Sequence, residues 1–227
     1  MLRSRRQNNR PLPEMTILRF FLQMCLGIDS FHSKRILHRD LKAQNVFLTA
    51  KQDEVRIGDF GLAKQMREPA LDSSQSSQVL NESDQNTISM QSSEESKCPK
   101  TRFEIENTCK VGTPFYLAPE LLGTDMEGSD RQPYTPKSDM WALGIILFEL
   151  CSLRKPFNGQ NEEELYKKVR EAKPSIIPSI SRPLMQLILS LLSKDPNRRP
   201  STRKIFEMDF IRSKALILRI DLPHRQR

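Results

Sequence analysis

Residues 140–150, Met-Trp-Ala-Leu-Gly-Ile-Ile-Leu-Phe-Glu-Leu, are apolar on nearly every side of a helical wheel. A helix can carry such a sequence only if other elements bury it all round. At 11 residues the run is far short of the roughly 20 apolar residues needed to cross a bilayer. It therefore marks the centre of a globular core, and the rest of the chain must supply the layers around it.

Those layers are legible as amphipathic helices. Leu18, Phe21, Leu22, Cys25 and Leu26 follow the i, i+3, i+4, i+7, i+8 rhythm, which predicts a helix over residues 15–33. Leu184, Leu187, Ile188, Leu191 and Leu192 repeat that rhythm. Asn161 to Glu164 reads as a helix start, with acids in its first turn and Lys167, Lys168 and Arg170 near its end, which suits the helix dipole. A last short helix is expected from Ser201, after the polar turn between Pro196 and Pro200. Strand signal is confined to Val46-Phe47-Leu48 and Val55-Arg56-Ile57, two runs joined by a polar turn and read as a small hairpin. The fold class is mainly α, a helical bundle with one small β-hairpin.

Residues 72–96 break this pattern with nine serines, five acids and no Lys or Arg. Such a segment buries too little apolar surface to offset its ordering entropy, so a disordered insert is expected over residues 65–104. The net charge of +8 comes from scattered bases, apart from Arg3, Arg5 and Arg6 and the final Arg225 and Arg227, so no nucleic-acid partner and no membrane partner are expected. The residues after Met1 hold no apolar stretch of a secretory signal, and the four cysteines lack paired spacing. An intracellular, cytoplasmic setting follows as the expectation.

Chemistry concentrates in His38-Arg39-Asp40-Leu41-Lys42-Ala43-Gln44-Asn45, in Asp59-Phe60-Gly61, and in Ala118-Pro119-Glu120. Asp40 can accept a proton from a substrate hydroxyl. Lys42 places a cation where a transferred phosphate gathers charge, and Asn45 and Asp59 offer hard oxygen ligands for Mg²⁺. Asp40 and Asn45 taken singly also read as ordinary turn formers. The three motifs in this order resemble the catalytic loop, the metal-binding triplet and the A-P-E end of the activation segment of protein kinases.

That resemblance implies further roles. His38 is expected to pack beneath Phe60, and Phe47 to form the apolar floor under an adenine. Asp139 anchors the catalytic-loop backbone in relatives, and Arg199 pairs with Glu120. Thr113 steadies the substrate-docking loop, Arg39 is the arginine that receives an activation-loop phosphate with Lys64 as a second cation, and Thr108 is a candidate for that phosphate. More narrowly, His38 to Thr49, Gly112 to Glu120 and Trp141 to Leu153 resemble the NIMA-related kinases, of serine/threonine type. The family implies ATP and Mg²⁺ as cofactors, protein Ser/Thr residues as substrates, and centrosomal or ciliary association.

The chain departs from a complete kinase in one respect. Residues 1–14 contain no glycine and are read as a remnant of the hinge before the first helix. No Gly-rich loop, strand lysine or partner helix glutamate can be placed. The expectation is a C-terminal lobe over residues 15–215 without the N-terminal β-rich lobe, followed by a basic tail over residues 216–227. A partner supplying or replacing the N-terminal lobe is the implied complement, and a non-catalytic scaffold or binding module is the alternative reading.

Overall fold

The computed structural model describes residues 11–51, 53–66, 114–123 and 132–223. Its elements in chain order are helix α1 (Glu14–Ser33), strand β1 (Ile36–Leu37), strands β2 (Val46–Leu48) and β3 (Val55–Ile57), strand β4 (Lys64–Gln65), then helices α2 (Pro136–Ser152), α3 (Glu162–Glu171), α4 (Arg182–Leu191), α5 (Thr202–Glu207) and α6 (Asp209–Leu218). Short 3₁₀ turns fall at Ala43–Asn45, Pro114–Tyr116, Pro119–Leu121 and Pro196–Arg198.

The axis is α2, where every residue from Ser138 to Cys151 is buried. Its start is fixed by Thr135, whose hydroxyl accepts from the Lys137 amide while the Ser138 hydroxyl accepts from the Thr135 amide. This reciprocal cap satisfies two amides that a helix start leaves open. Gly144 lets α4 lie directly on α2: a Cβ there would sit 2.8 Å from the Cβ of Leu191. On the other side α1 buries Ile17, Leu18, Phe21, Leu22, Cys25 and Ile28 against the same core. The expected Asn161 cap is present, with its side chain accepting from the Glu164 amide at 2.8 Å.

Two antiparallel ladders sit at the edge of this bundle. β2 and β3 pair as expected, Val46 opposite Ile57 and Leu48 opposite Val55. β1 and β4 form a second pair, Ile36 opposite Gln65 and Leu37 opposite Lys64, which the sequence reading did not contain. Two residues per strand are too few to leave an alternating pattern.

Three boundaries move. The segment expected to be disordered from residue 65 begins inside β4, and the Met66 amide donates to the Arg35 carbonyl at 2.7 Å, so ladder bonds hold Gln65 and Met66. The remainder of that segment, residues 67–104, lies outside the described residues. The single final helix is two, because Met208 adopts extended backbone between α5 and α6. The tail expected from residue 216 starts later, since Leu216, Ile217 and Leu218 complete α6, which ends at Arg219 in left-handed backbone with φ 53°. An arginine at that position carries no sequence mark of a stop, unlike the usual glycine. At the other end, Glu14 belongs to α1, and its carboxylate accepts both the amide and the hydroxyl of Ser181 at 2.7 Å, tying the start of α1 to the start of α4.

Candidate active site

The catalytic-loop residues follow β1 as a tight turn, and their backbone is held from below. Asp139, in the first turn of α2, is fully buried and accepts four bonds. They come from the amides of His38 at 3.1 Å and Arg39 at 3.2 Å, the His32 ring at 2.8 Å and the Tyr134 hydroxyl at 2.6 Å. Arg39 needs this support because it sits in left-handed backbone at φ 68°, a region non-glycine residues enter at a cost. Burial, and after it the charge of Asp139 and the hydrogen bond to it, push the Tyr134 hydroxyl's pKa well up, so it remains a donor.

Above this floor three side chains converge. Lys42 Nζ donates to Asp40 Oδ2 at 2.6 Å, and Asn45 Nδ2 donates to the same oxygen at 3.0 Å and to the Asp40 carbonyl at 2.8 Å. Both donors use Oδ2, and among the described residues none donates to Oδ1. The Asn45 amide nitrogen is spent on Asp40, which leaves its Oδ1 as the available end. Asn45 is itself buried, and its carbonyl accepts the Gly58 amide at 2.9 Å, which sets Asp59 one peptide away. Asp59 stands in left-handed backbone at φ 62° and is exposed, and among the described residues its carboxylate has no hydrogen bond or ion pair.

Aromatic rings support the triplet. His38 is buried, with its ring edge-on to Phe60 at 5.6 Å, and Phe31 of α1 stacks on Phe60 at 5.1 Å. Burial lowers the pKa of His38, against the opposing pull of Asp139 and Asp40, so the ring is an uncharged packing piece. Phe47 is 55% exposed and Phe60 47% exposed, and together with Leu62 they present apolar surface at this edge of the molecule. Phe47 also lies over Gly58, where an added Cβ would come within 2.9 Å of its ring.

The A-P-E glutamate is locked to the late arginine. Arg199 reaches Glu120 through Nη1 at 2.8 Å and Nη2 at 2.7 Å, and its remaining N–H groups go to the carbonyls of Lys137, Ser193 and Lys194. All five guanidinium hydrogens are therefore used, and Ser138 adds a bond to Glu120 at 2.9 Å. A second buried network joins Tyr116 to the catalytic loop. The Tyr116 hydroxyl accepts the Ala43 amide at 3.2 Å, donates to Glu149 at 2.9 Å, and also receives Lys155.

The structure thus brings Asp40, Lys42, Asn45 and Asp59 to one edge, with Phe47 beside them and Arg39 and Asp139 beneath. Glu120 and Arg199 form a separate clamp. Thr108 and Thr113 lie outside the described residues. The sequence reading missed His32, Tyr134 and Phe31, which act through Asp139, Arg39 and Phe60. It also missed the Tyr116, Glu149 and Lys155 network. His32 could have been found from α1, where it is the last basic group before the turn into β1.

This edge, an acid held by a lysine and an asparagine beside an unpaired carboxylate in left-handed backbone, has the donor set of a phosphoryl-transfer site. The chain matches the family described as the protein kinase domain over residues 1–83 and 87–211, and it belongs to that family. Among curated proteins it is similar to the human serine/threonine-protein kinase Nek5, with 35% identity over 93% of this chain and 24% of that protein. The mouse serine/threonine-protein kinase Nek1 is 36% identical over 87% of the chain and 13% of its own length. The zebrafish serine/threonine-protein kinase Nek8 is 36% identical over 87% of the chain and 22% of its own length. The chain therefore spans less than a quarter of each of these relatives. No helix among the described residues is long and apolar enough to cross a membrane.

Proposed function

We propose that this chain forms the substrate- and metal-facing half of a serine/threonine protein kinase and that its site transfers the γ-phosphoryl group of ATP to protein hydroxyls. The observation that carries the reading is the arrangement on Asp40, whose Oδ2 takes Lys42 and Asn45 while Oδ1 is left to accept a proton.

In this reading a Ser or Thr hydroxyl donates to Asp40 Oδ1 and is thereby oriented toward the phosphorus. Lys42 holds Asp40 in place and offers its charge to the transferring phosphoryl oxygens. Asn45 Oδ1 and the Asp59 carboxylate suit Mg²⁺, because both are hard oxygen donors without another partner among the described residues. The ion would neutralise charge on the phosphates. Phe47 supplies an apolar face for a purine, consistent with its exposure in the present chain. The groups that in a complete kinase hold the phosphates from above are not among the described residues, and positioning is a large share of the barrier reduction. The chain alone is therefore expected to transfer little phosphate.

The test joins the chain to the small lobe of a related kinase and supplies radiolabelled ATP with Ser, Thr and Tyr peptides. Transfer to Ser and Thr but not Tyr by the joined protein, with little by the chain alone, supports the reading. No transfer by the joined protein, or transfer confined to Tyr, would overturn it.

A further inference from the structure

Helix α1 touches the strand that leads to Asp59 at three points one helical turn apart. The Gln23 amide brackets the hairpin: its Oε1 accepts the Val55 amide at 2.7 Å and its Nε2 donates to the Asp53 carbonyl at 3.1 Å. Four residues on, Gly27 faces Ile57, and a Cβ there would meet Ile57 Cδ1 at 3.0 Å. Four residues further, Phe31 stacks on Phe60 at 5.1 Å. Residues at i, i+4 and i+8 lie on one face of a helix and rise about 6 Å per step, close to the two-residue step of about 6.6 Å along a strand. The first step of the α1 face matches the two-residue step from Val55 to Ile57, and the second spans three residues, from Ile57 to Phe60, across the left-handed backbone at Asp59.

The match matters because, beside the β2–β3 ladder, the Gly58 bond to Asn45 and the His38–Phe60 contact, α1 is the element that packs on this segment. β3 pairs only with β2, a three-residue partner, and Asp59 itself is exposed without a described partner. A slip of one residue along β3 would break the bond from the Gly58 amide to the Asn45 carbonyl, which sets the peptide before Asp59.

We propose that Gln23, Gly27 and Phe31 form a positioning stripe that sets the register of β3 and so places the Asp59 carboxylate beside Asn45 for the metal. The inference rests on the reading of Asp59 as a metal ligand. Gln23 and Gly27 touch no reacting atom and act only through Val55, Ile57 and the peptide of Gly58. The glycine at 27 lets Ile57 lie close to α1, where a Cβ would require Ile57 Cδ1 to give by a few tenths of an ångström, although alanine would be the better helix former.

The test uses the 227-residue chain with Mn²⁺ as the probe, following paramagnetic broadening of the Gly58 and Gly61 amide signals in a titration, alongside the melting temperature. Asp59→Asn is expected to abolish the specific broadening. Gln23→Leu and Gly27→Ala are each expected to weaken Mn²⁺ binding about fivefold, the scale of one lost bond or contact, with the melting temperature of Gly27→Ala no lower than that of the unaltered chain. Adding Ile57→Val to Gly27→Ala, which removes the crowded Cδ1, should restore binding. If both single variants bind as the unaltered chain does while Asp59→Asn does not, or if binding falls only in step with the melting temperature, the stripe has no positioning role. If Asp59→Asn binds as well as the unaltered chain, or that chain gives no specific broadening, the metal-ligand reading fails first and takes this proposal with it.

Discussion

Helix α2 and the β2–β3 hairpin differ in almost every physical respect, although both are needed to build the same site. Along α2 every residue from Ser138 to Cys151 is buried, and Asp139 and the Glu120–Arg199 pair beside it have their hydrogen bonds filled. In the hairpin and the triplet after it, Phe47, Asp59 and Phe60 are all exposed. The floor gets its rigidity from close packing, which tolerates no alternative arrangement. The rim takes its shape from a few polar bonds and one face of α1. In the proposed function the exposed groups of this rim would meet the nucleotide and the metal, so the site would couple a packed base to an open edge.

The comparison is broken most severely at the clamp. Arg199→Leu leaves the Glu120 carboxylate buried without its partner, and removing one member of a buried pair costs about 3–5 kcal/mol. Urea unfolding of the variant should show a loss of that size, and a loss below about 1 kcal/mol would mean that the pair is not as desolvated as the structure shows. Next comes Asp139→Ala, which orphans the amides of His38 and Arg39 together with Tyr134 and His32. A cost of about 3 kcal/mol is expected. It should be accompanied by faster hydrogen exchange at the Arg39 amide, because that amide donates to the Asp139 carboxylate.

The pH dependence is smaller and has a definite sign. Burial lowers the pKa of His38, so the unfolded chain takes up this proton first as pH falls. His38 therefore contributes full stability above the ordinary histidine value of about 6.5 and loses it as pH drops through that value toward the lowered one. Urea midpoints between pH 7.5 and 5.5 should fall more steeply for the unaltered chain than for His38→Phe, and equal slopes would contradict the assignment. The smallest effect belongs to the rim. Phe47→Ser should change stability by less than about 0.5 kcal/mol, where Trp141→Ala on α2 should cost about 3–5 kcal/mol.

The same contrast explains what could be read from the residues alone. The floor was legible because burial leaves a pattern: α1 and α4 appear in the spacing of Leu, Ile and Phe, α2 in a run that is apolar all round, and the Asn161 cap in a short polar run. Asp40, Lys42, Asn45 and Asp59 were singled out because phosphoryl transfer, the proposed chemistry, restricts which residue types could serve at those places. The supports between floor and rim were not legible. Gln23, His32, Phe31 and Tyr134 are ordinary residues in ordinary helical or loop positions, and only the fold shows that Gln23 reaches Asp53 and Val55 or that Tyr134 reaches Asp139. The β1–β4 ladder was missed because two-residue strands carry no period. The stops at Leu153 and Arg219 were missed because the left-handed residue is not glycine.

The central claim is that Asp40 is the group that receives the substrate proton, and single-turnover transfer by the chain joined to a small lobe tests it most directly. Asp40→Asn keeps the size of the side chain but cannot take that proton, so kcat should fall by about 10²–10⁴-fold while the peptide KM changes by less than about threefold. A variant that retains the unaltered kcat would contradict the account.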